Sequence, residues 1–170
     1  SLENAYKQIK QSYPNIHGVI NSAVGAFDLS LQKTDEKRFQ SILSAKVDVS
    51  VWMTEVFGEE PLDFIVFFSS IQSFMKSPGF SSYSSGCTFI DSFAFQLSKT
   101  RQYKTKVINW GFWSLGSGAR VSEALKIRQA QAGIKTIEPN EGMEMLERLL
   151  NGSINQAGLT KGVTPTDDIK

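Results

Sequence analysis

The sequence predicts an α/β protein built around a parallel β-sheet, because apolar stretches of strand length alternate with segments of helical spacing. The clearest strand is Leu62–Ser70, which is almost continuously apolar and ends in two serines. Central strands of parallel sheets are covered on both faces and have this composition. Strands predicted at Ile16–Ala23 and Lys106–Trp110 carry an amide residue near their carboxyl ends. Since ligands of such sheets gather at the carboxyl ends of the strands, we expect a site there.

The first third of the chain is predicted to form a helix, a strand and a second helix. Leu2–Tyr13 has helical spacing and stops before Pro14, and Ile16–Ala23 has the composition of a buried strand. Thr34 is a candidate N-cap for the helix that follows. The buried stripe of that helix is expected to contain Phe39, Ile42, Leu43, Val47, Val51 and Val56.

The rest of the chain continues the alternation of helices and strands. Ser77–Gly79 marks a turn. The predicted elements are helices at Tyr83–Lys99, Val121–Ala132 and Pro139–Leu150, strands at Lys106–Trp110 and Asn155–Thr160, and a glycine loop with Gly111, Gly116 and Gly118. The aromatic residues expected in the core are Phe64, Phe67, Phe68, Trp110 and Trp113. We expect residues 1–160 to belong to one domain and residues 161–170 to form a linker or tail.

Composition excludes several classes of function. The 170 residues are 41% hydrophobic and 21% charged, with 18 basic and 17 acidic side chains. At a net charge of +1 and without a basic run, binding to nucleic acid or to an anionic membrane is not expected. Cys87 is the only cysteine and His17 the only histidine, so we expect no disulfide, no metal site and a reducing, cytoplasmic setting. The most apolar stretch, Phe64–Phe68, is too short to span a bilayer.

Ser70, Tyr83 and Lys46 form a candidate catalytic set. Ser70 and Tyr83 are thirteen residues apart, and Lys46 precedes the tyrosine by thirty-seven. A phenol with a pKa of about 10 is a weak acid, and a nearby ammonium would lower this pKa and ease proton donation. A serine hydroxyl at a strand end could hold a carbonyl oxygen beside the phenol. Each residue type is common, so the spacing alone is also compatible with structural roles.

Five motifs occur in one order around these residues: Ala45–Asp48, Phe67–Ser70, Ser77–Gly79, Tyr83–Phe89 and Asn109–Trp113. Together they resemble the ketoreductase domain of modular polyketide synthases, a member of the short-chain dehydrogenase/reductase superfamily. The resemblance runs from about Ile16 to Leu150. The stretch Tyr83–Phe89 is most similar to the trans-acyltransferase type of these synthases. The ordered set is more specific than any single motif.

The resemblance implies a Rossmann-like fold of which this chain is the C-terminal, catalytic part. By position, Tyr83 would donate a proton, Ser70 would orient the β-keto oxygen and Lys46 would contact the nicotinamide ribose. The implied reaction is the NADPH-dependent reduction of a β-ketoacyl thioester carried on an acyl carrier protein. Cys87 stands where many relatives have asparagine, one helical turn after the tyrosine. It is either part of an altered water relay or simply a small buried side chain.

The resemblance also implies where the cofactor and the stereochemical marker lie. The implied cofactor-binding residues are Asn21, Ser22, Ala23, Lys46, Tyr83, Asn109, Gly111 and Phe112. Val24 replaces a glycine that many relatives have beside the cofactor. Asp28 matches the last aspartate of the family's stereochemical marker, and Met75 stands where the opposite class has tryptophan. The pair favours a D-hydroxy product, although Asp28 is equally a candidate turn or cap residue.

The glycine-rich turn that would hold the cofactor pyrophosphate is not found in the sequence. No Gly-x-Gly-x-x-Gly occurs in the 170 residues, and Gly116–Gly118 is expected to be a flexible loop. In the family's strand order, Ile16–Ala23 would pair with a strand of the missing N-terminal half. Because an unpaired edge invites association, we expect the chain to contact that half or neighbouring synthase domains, to pair with itself, or to be a fragment of a longer polypeptide.

Two other functions compete with reduction. The chain could be a reductase-like module that binds no cofactor and serves the architecture of a multidomain synthase, although the presence of all three candidate catalytic residues speaks against this. A serine hydrolase that uses Ser70 or Ser81 would need a base. His17, the sole histidine, precedes both serines, and the sequence has no Gly-x-Ser-x-Gly motif. The hydrolase is therefore the weaker alternative.

Overall fold

The computed structural model describes residues 1–25, 32, 34–75, 77–114, 127 and 129–162, and it confirms the predicted parallel α/β architecture. The helices are α1 Leu2–Ser12, α2 Glu36–Ser44, α3 Val47–Phe57, α4 Gln72–Met75, α5 Ser81–Thr100 and α6 Pro139–Asn151. The strands are β1 Gly18–Asn21, β2 Phe64–Ser70, β3 Lys104–Trp110, β4 Ile134–Lys135, β5 Gln156–Leu159 and β6 Lys161–Gly162. In the part of the chain described here, no helix is both long and apolar enough to cross a membrane.

Four strands form a parallel sheet in the order β1-β2-β3-β5. The central strands β2 and β3 pair along their whole length, from Phe64↔Lys104 to Ser70↔Trp110. In the described sheet, β1 pairs with β2 only, starting at Gly18↔Phe64. The short strands β4 and β6 form a separate antiparallel pair. This order places the carboxyl ends of β2 and β3 side by side, where the polar residues of both strands meet.

The central strands are covered on both faces. On one face α3 and α5 pack against the sheet through Val19, Met53, Phe57, Leu62, Ile65, Phe67, Ile90, Ala94, Leu97 and Val107. On the other face α6 packs through Val66, Ile108, Trp110, Ile137, Leu146 and Leu149, with Phe64, Phe68 and Trp113 partly buried against them. The five aromatic residues expected in the core therefore all contribute to it. Ile20 of β1 lies beside Val66 but is 45% exposed, so this face is open at β1.

The single helix predicted after Thr34 is wrong in two respects. Asp35, and not Thr34, is the N-cap, and its carboxylate accepts a 2.8 Å hydrogen bond from the Arg38 amide. The helix is also interrupted at residues 45–46, so that α2 and α3 are separate. A helical period predicts a single face only while the helix is unbroken. The fully buried positions in α3 are accordingly Ser50, Met53, Thr54 and Phe57. Val47, Val51 and Val56 are half-buried, and of these Val56 packs against the core.

Other boundaries differ by a few residues. Strand β1 is four residues long and lies inside the predicted Ile16–Ala23. Lys161–Gly162 pairs with β4, so the first two residues of the predicted tail belong to a small sheet. The glycine loop at Gly116–Gly118 and most of the predicted helix Val121–Ala132 lie outside the described residues.

A carboxylate and an aromatic contact attach helix α1 to the rest of the molecule. The Tyr6 hydroxyl donates to Glu60 Oε1 at 2.6 Å, and Lys10 Nζ donates to Glu60 Oε2 at 2.9 Å. The Tyr6 ring also packs edge-on against Phe57, with ring centres 5.5 Å apart. The hydrogen bond from Tyr6, followed by that from Lys10, lowers the pKa of Glu60.

We expect Glu60→Gln to destabilise the protein at neutral pH and to have a smaller effect at about pH 3. A lowered native pKa contributes stability above the ordinary glutamate pKa, and this contribution is lost as the pH falls through the native value. Glu55→Gln removes a carboxylate from an exposed position of α3 and is the control. Thermal unfolding at both pH values measures the effect. Equal midpoints for Glu60→Gln and the parent at neutral pH would contradict it.

Candidate active site

The carboxyl ends of β2 and β3 bring together polar residues that the sequence places forty positions apart. In the sheet register, Ser69 pairs with Asn109 and Ser70 pairs with Trp110. The Ser70 hydroxyl donates to the Trp110 carbonyl at 3.4 Å and accepts from the Gln72 amide at 3.2 Å, where the chain turns into α4. The Ser70–Trp110 contact joins residues that are 40 positions apart in the sequence. Ser70 is therefore held at the end of β2, with 7% of its surface exposed.

Tyr83 reaches this edge of the sheet from the first turn of α5. The helix packs against the sheet through Ile90 and Ala94, which fixes the position of its first turn. A hydrogen bond joins the side chains of Tyr83 and Ser70. The Tyr83 ring also packs against Phe80, with ring centres 6.4 Å apart. The two hydroxyls predicted to act on one carbonyl oxygen thus lie within hydrogen-bond distance of each other.

Lys46 reaches the same place from the break between α2 and α3, and it is 3% exposed. Its side chain crosses α5 at Gly86, where an added Cβ would lie 2.9 Å from Lys46 Cβ. Lys46 Nζ donates to the Phe68 carbonyl at 2.8 Å and lies 5.8 Å from the centre of the Tyr83 ring. The glycine allows this close approach. The structure therefore brings together all three residues of the candidate catalytic set.

The pKa of Tyr83 differs from the expectation. Burial raises the pKa of the phenol, Cys87 adds to this effect, and the hydrogen bond with Ser70 partly opposes it. The expectation of a Tyr83 pKa below the ordinary value of a phenol is therefore wrong for this structure. The cost of ionising a buried phenol exceeds its attraction to an ammonium that is directed at the Phe68 carbonyl. In this arrangement, Tyr83 keeps its proton and Ser70 is the contact that eases its release.

Cys87 lies one turn after Tyr83 and is fully buried. The side chain is small and buried, as one of its two predicted roles requires, and the altered water relay stays a prediction. The thiol is hydrogen-bonded to the side chains of Tyr83 and Ser69, and the Ser69 hydroxyl also lies 3.3 Å from the Cys87 carbonyl oxygen. Burial raises the pKa of Cys87, so the thiol is neutral at neutral pH. Cys87 thus links Tyr83 to the end of β2.

A hydrogen-bond network that the sequence pattern does not reveal lies behind these residues. Asn109 is fully buried, and its side-chain nitrogen lies 3.1 and 3.0 Å from the two carboxylate oxygens of Asp91. The Asn109 side-chain oxygen accepts from Gln156 Nε2 at 2.9 Å, and its nitrogen lies 3.1 Å from Ser69 Oγ. One signal was available in the sequence. Asp91 follows Cys87 by four residues, so an acid interrupts the otherwise buried face of α5.

The first group of predicted cofactor-binding residues lies at the end of β1. Asn21 is 2% exposed, its side-chain nitrogen donates to Ser50 Oγ at 3.0 Å, and its side-chain oxygen accepts from the Ala23 amide at 3.1 Å. These bonds turn the chain away from the strand. Ser22 and Val24 are exposed, and Ala23 is half-buried. A ligand at this strand end would therefore meet Ser22 and Ala23 before it met the Asn21 side chain.

The second group follows β3. The Asn109 side chain is engaged in the buried network, so a contact between Asn109 and a cofactor would involve its main chain. The Gly111 amide donates to the Leu159 carbonyl at 2.8 Å, and an added Cβ at Gly111 would lie 2.7 Å from that oxygen. The Phe112 carbonyl accepts from the Ile137 amide at 2.6 Å. Close approach of two backbones is thus a structural reason for glycine at position 111.

The side chains at this edge of the sheet fit one end of a nicotinamide cofactor. An ammonium carries three hydrogens, and the Phe68 carbonyl takes one of those of Lys46. Further N–H groups can serve ribose hydroxyls, and Tyr83 and Ser70 add hydroxyls beside them. The sequence contains no glycine-rich turn for the pyrophosphate. The fit is therefore limited to the nicotinamide and its ribose.

The geometry contradicts the serine hydrolase. The His17 carbonyl accepts a hydrogen bond from the Asp63 amide at 2.7 Å, and the imidazole ring of His17 lies 3.7 Å from the Asp63 carboxylate. Asp63 directly precedes β2. Ser70 lies at the other end of this strand, about 20 Å away at 3.3 Å per residue. Ser81 begins α5 next to Tyr83, on the Ser70 side. The sole histidine is therefore too far from either serine to act as its base.

Other features do not add to the site. An open groove of about 840 Å³ lies between α6 and the amino ends of β2 and β3, at the opposite end of these strands from Tyr83. Within the described ranges, no group of three or more His, Cys, Asp or Glu side chains could hold a metal ion. Asp28, the predicted stereochemical marker, lies outside the described residues.

The chain is similar in sequence to parts of polyketide synthases. The KR domain family matches residues 1–115. Polyketide synthase PksN from Bacillus subtilis (strain 168) is 46% identical over 167 residues, which cover 98% of this chain and 3% of that protein. Polyketide synthase PksM from the same organism is 41% identical over 165 residues, which cover 97% of this chain and 4% of that protein. The chain thus spans a small fraction of the length of these relatives.

Solved structures agree with this similarity. A ketoreductase domain from the bacillaene assembly line superposes with a TM-score of 0.83 at 25% identity, over 94% of this chain and 40% of that chain. An N-terminal ketoreductase from the macrolactin assembly line gives a TM-score of 0.82 at 27% identity, over 94% and 31%. The fold is the Rossmann-like parallel sheet of short-chain dehydrogenases/reductases, present in part. The resemblance drawn from the ordered motifs is confirmed, and the chain belongs to the KR domain family, the ketoreductase domains of polyketide synthases.

Proposed function

We propose that this chain supplies the proton-donor part of a β-ketoacyl reductase that uses NADPH to reduce a thioester carried on an acyl carrier protein. The observation that carries the proposal is the hydrogen-bonded pair of Tyr83 and Ser70, with the Lys46 ammonium 5.8 Å from the Tyr83 ring. The pair lies at the carboxyl end of a parallel sheet, where such sheets bind their ligands.

The two hydroxyls have different tasks in this reaction. Ser70 is held between the Trp110 carbonyl and the Gln72 amide, which fixes the position of its oxygen. Its single hydrogen would leave the 3.4 Å contact with the Trp110 carbonyl and be donated to the substrate carbonyl oxygen, which it would thereby orient. Tyr83 donates its proton to the carbonyl oxygen as negative charge develops there. Because burial raises the pKa of Tyr83, the protonated form that can donate is the one present at neutral pH.

Lys46 stabilises the state that follows proton donation. Once Tyr83 has lost its proton, a phenolate lies near a buried ammonium, and the low polarity of the surroundings strengthens their attraction. NADPH, when bound, supplies the hydride to the carbonyl carbon. Ser22, Ala23, Gly111 and Phe112 would line its nicotinamide, and Lys46 would donate to its ribose.

The cofactor and the substrate class are carried over from the family. The relatives PksN and PksM are polyketide synthases, and two solved structures of the same fold are ketoreductases of assembly lines. In ketoreductases of this type, the carbonyl belongs to a β-ketoacyl chain on a carrier protein and the hydride comes from NADPH. We extend both assignments to this chain.

The proposal includes a polypeptide segment outside this chain that completes the sheet beside β1. In the described sheet, β1 has a neighbour on one side only, and Ile20 is 45% exposed. This chain spans 31% of one solved ketoreductase chain and 40% of another. The segment would bring the pyrophosphate-binding turn. Without it, the open edge of β1 is a site for association with other chains.

The test compares this chain alone with a polypeptide of full ketoreductase length that contains it. We expect the longer polypeptide to bind NADPH and to oxidise it when given a β-ketoacyl pantetheine thioester. We expect neither result for this chain alone, because it lacks a glycine-rich turn. NADPH fluorescence measures binding, and the loss of NADPH absorbance measures turnover.

Each outcome of this comparison has a meaning. A longer polypeptide that folds but neither binds NADPH nor reduces the thioester would overturn the proposal. That result would support the alternative, a reductase-like module that serves the architecture of the synthase. NADPH binding without reduction of any β-ketoacyl thioester would overturn the assigned substrate class.

A further inference from the structure

Asp91 places a negative charge beside the residues of the proposed reaction. It lies on α5, one turn after Cys87 and two turns after Tyr83, and it is half-buried. Its two carboxylate oxygens lie 3.1 and 3.0 Å from the side-chain nitrogen of Asn109. An amide donor serves part of the hydrogen-bonding capacity of a carboxylate, but it does not balance the charge.

Asn109 holds Asp91 in place from the sheet. The Asn109 side-chain oxygen accepts from Gln156 Nε2 at 2.9 Å, which sets the amide so that its nitrogen is directed towards Asp91. The same nitrogen lies 3.1 Å from Ser69 Oγ and from Ser73 Oγ. An amide has two hydrogens, and the charged carboxylate is the strongest acceptor in this group. The position of Asp91 is therefore set through residues of β2, β3 and β5.

Lys46 is a buried cation whose direct contacts are neutral. Its ammonium donates to the Phe68 carbonyl at 2.8 Å and lies 5.8 Å from the centre of the Tyr83 ring. Burial lowers the pKa of Lys46, and negative charge on Cys87 or Asp91 raises it. Burial also raises the pKa of Cys87, which keeps the thiol neutral at neutral pH. Asp91 is thus the group left to favour the ammonium.

We propose that Asp91 is a positioning residue whose negative charge keeps Lys46 protonated in the site where Tyr83 donates its proton. The catalytic part of this inference rests on the proposed function, and the charge interaction does not. The contacts of Lys46 are the Phe68 carbonyl on β2 and, on α5, Gly86 and the Tyr83 ring; Cys87 and Asp91 follow Tyr83 at four-residue intervals on the same face of α5. Of these groups, Asp91 is the one that is negative at neutral pH.

Titration of Lys46 tests the inference without any turnover. In a polypeptide of full ketoreductase length that contains this chain, the ¹³C signal of Lys46 Cε reports its protonation, and its loss in Lys46→Arg assigns it. Asp91→Asn removes the charge and keeps the shape of the side chain. We expect the pKa of Lys46 to fall by about one unit, the typical effect of one charge on a partly buried neighbour.

Two controls separate charge from shape. Asp91→Glu keeps the carboxylate, and Asp63→Asn makes the same chemical change at a 76% exposed side chain near the amino end of β2. Both are expected to leave the pKa of Lys46 within about 0.3 units of the parent. Asp91→Ser, which is smaller and keeps a hydrogen-bonding group, is a second uncharged variant for the case that Asp91→Asn does not fold.

The pH dependence of turnover provides a second measurement. If Lys46 acts as a cation, kcat/KM falls at alkaline pH as Lys46 loses its proton. Removing the negative charge at Asp91 disfavours the ammonium, so the alkaline limit in Asp91→Asn is expected about one unit lower. A purely structural role for Asp91 would lower the rate at every pH and would leave this limit unchanged.

The two proposals fail in different ways. An unchanged pKa of Lys46 in both Asp91→Asn and Asp91→Ser overturns the inference, even in an active enzyme. A polypeptide that has no reductase activity overturns the proposed function, while the Lys46 titration still decides the inference. A fall of about one unit in either uncharged variant, with Asp91→Glu unchanged, supports it.

Discussion

Tyr83→Phe is expected to lower the kcat of a full-length ketoreductase polypeptide containing this chain by about 100- to 10,000-fold. The substitution removes the proton donor and leaves the ring in place. The contacts of the ring with Phe80, at 6.4 Å between ring centres, and with Lys46 Nζ, at 5.8 Å, do not need the hydroxyl. NADPH binding should therefore change little, and the loss of stability should be about 1 kcal/mol, from the lost hydrogen bonds with Ser70 and Cys87. Turnover with a β-ketoacyl thioester, measured beside the Kd for NADPH, checks this result.

Tyr103→Phe is the matched control for this prediction. Tyr103 precedes β3, and its hydroxyl is buried with no hydrogen-bond partner among the described residues. Because a buried unpaired hydroxyl is unfavourable, its removal should leave stability unchanged or slightly higher. Turnover should stay within about twofold of the parent, since the residue is remote from the proton transfer. Equal turnover in Tyr83→Phe and Tyr103→Phe would mean that the Tyr83 proton is not used.

Lys106→Met is expected to lower the free energy of unfolding by about 2 to 3 kcal/mol. Lys106 is 2% exposed, and its ammonium donates to the Gly152 and Ile154 carbonyls at 3.0 and 2.6 Å and to the Asn155 side-chain oxygen at 3.3 Å. Methionine fills the space but leaves these acceptors without a donor. Burial lowers the pKa of Lys106, which shows that the buried ammonium carries a desolvation cost. Replacement by methionine removes this cost and so partly offsets the loss of stability. The unpaired acceptors outweigh this gain, because the Gly152 carbonyl lies at the C-terminus of α6, where the helix dipole favours a cation.

Lys104→Met is the control on the same strand. Lys104 precedes Lys106 by two residues and is exposed. Its positive charge also lowers the pKa of Lys106, so its removal relieves a small repulsion. We expect its effect on the free energy of unfolding to stay within about 0.5 kcal/mol. Chemical denaturation of both variants measures the difference, and an equal loss in the two would show that the three acceptors do not depend on Lys106.

The two buried lysines show how contacts separate a structural cation from a candidate catalytic one. Lys106 has three oxygen acceptors, all at the end of α6 and the start of β5. Lys46 has the Phe68 carbonyl and the face of the Tyr83 ring. The ammonium with three acceptors ties elements together. The one with a single acceptor retains N–H groups for a ligand and depends on a more distant charge.

Much of the fold follows from local patterns in the chain. The apolar run that forms β2 and the helical spacing that forms α5 are properties of adjacent residues, so both elements were predictable with small errors at their ends. The break between α2 and α3 was not predictable in this way. The apolar residues on both sides of Lys46 continue one helical period, so the sequence pattern gives no sign of the break. The break is seen in the structure, where Lys46 turns inward and its ammonium donates to the Phe68 carbonyl.

The candidate site divides in a similar way. Ser70, Tyr83 and Lys46 were identified because they stand in ordered motifs of a known family, and the structure brings them together. The roles of Asp91 and Asn109 in one network were not evident. Neither residue type is unusual in its element, and the effect of burial on the pKa of Tyr83 depends on how α5 packs against the sheet.

The sequence was therefore sufficient to predict the alternation of strands and helices, the family and the three candidate catalytic residues. Hydrophobic spacing and motifs extend over a few neighbouring positions, so they can be recognised without any knowledge of the packing. The contacts that surround Tyr83 needed the folded chain. Lys46 meets Phe68 across 22 positions, Asn109 meets Asp91 across 18, and Gln156 meets Asn109 across 47. Such contacts depend on the order of strands in the sheet, and that order sets the charge around Lys46 and the burial of Tyr83.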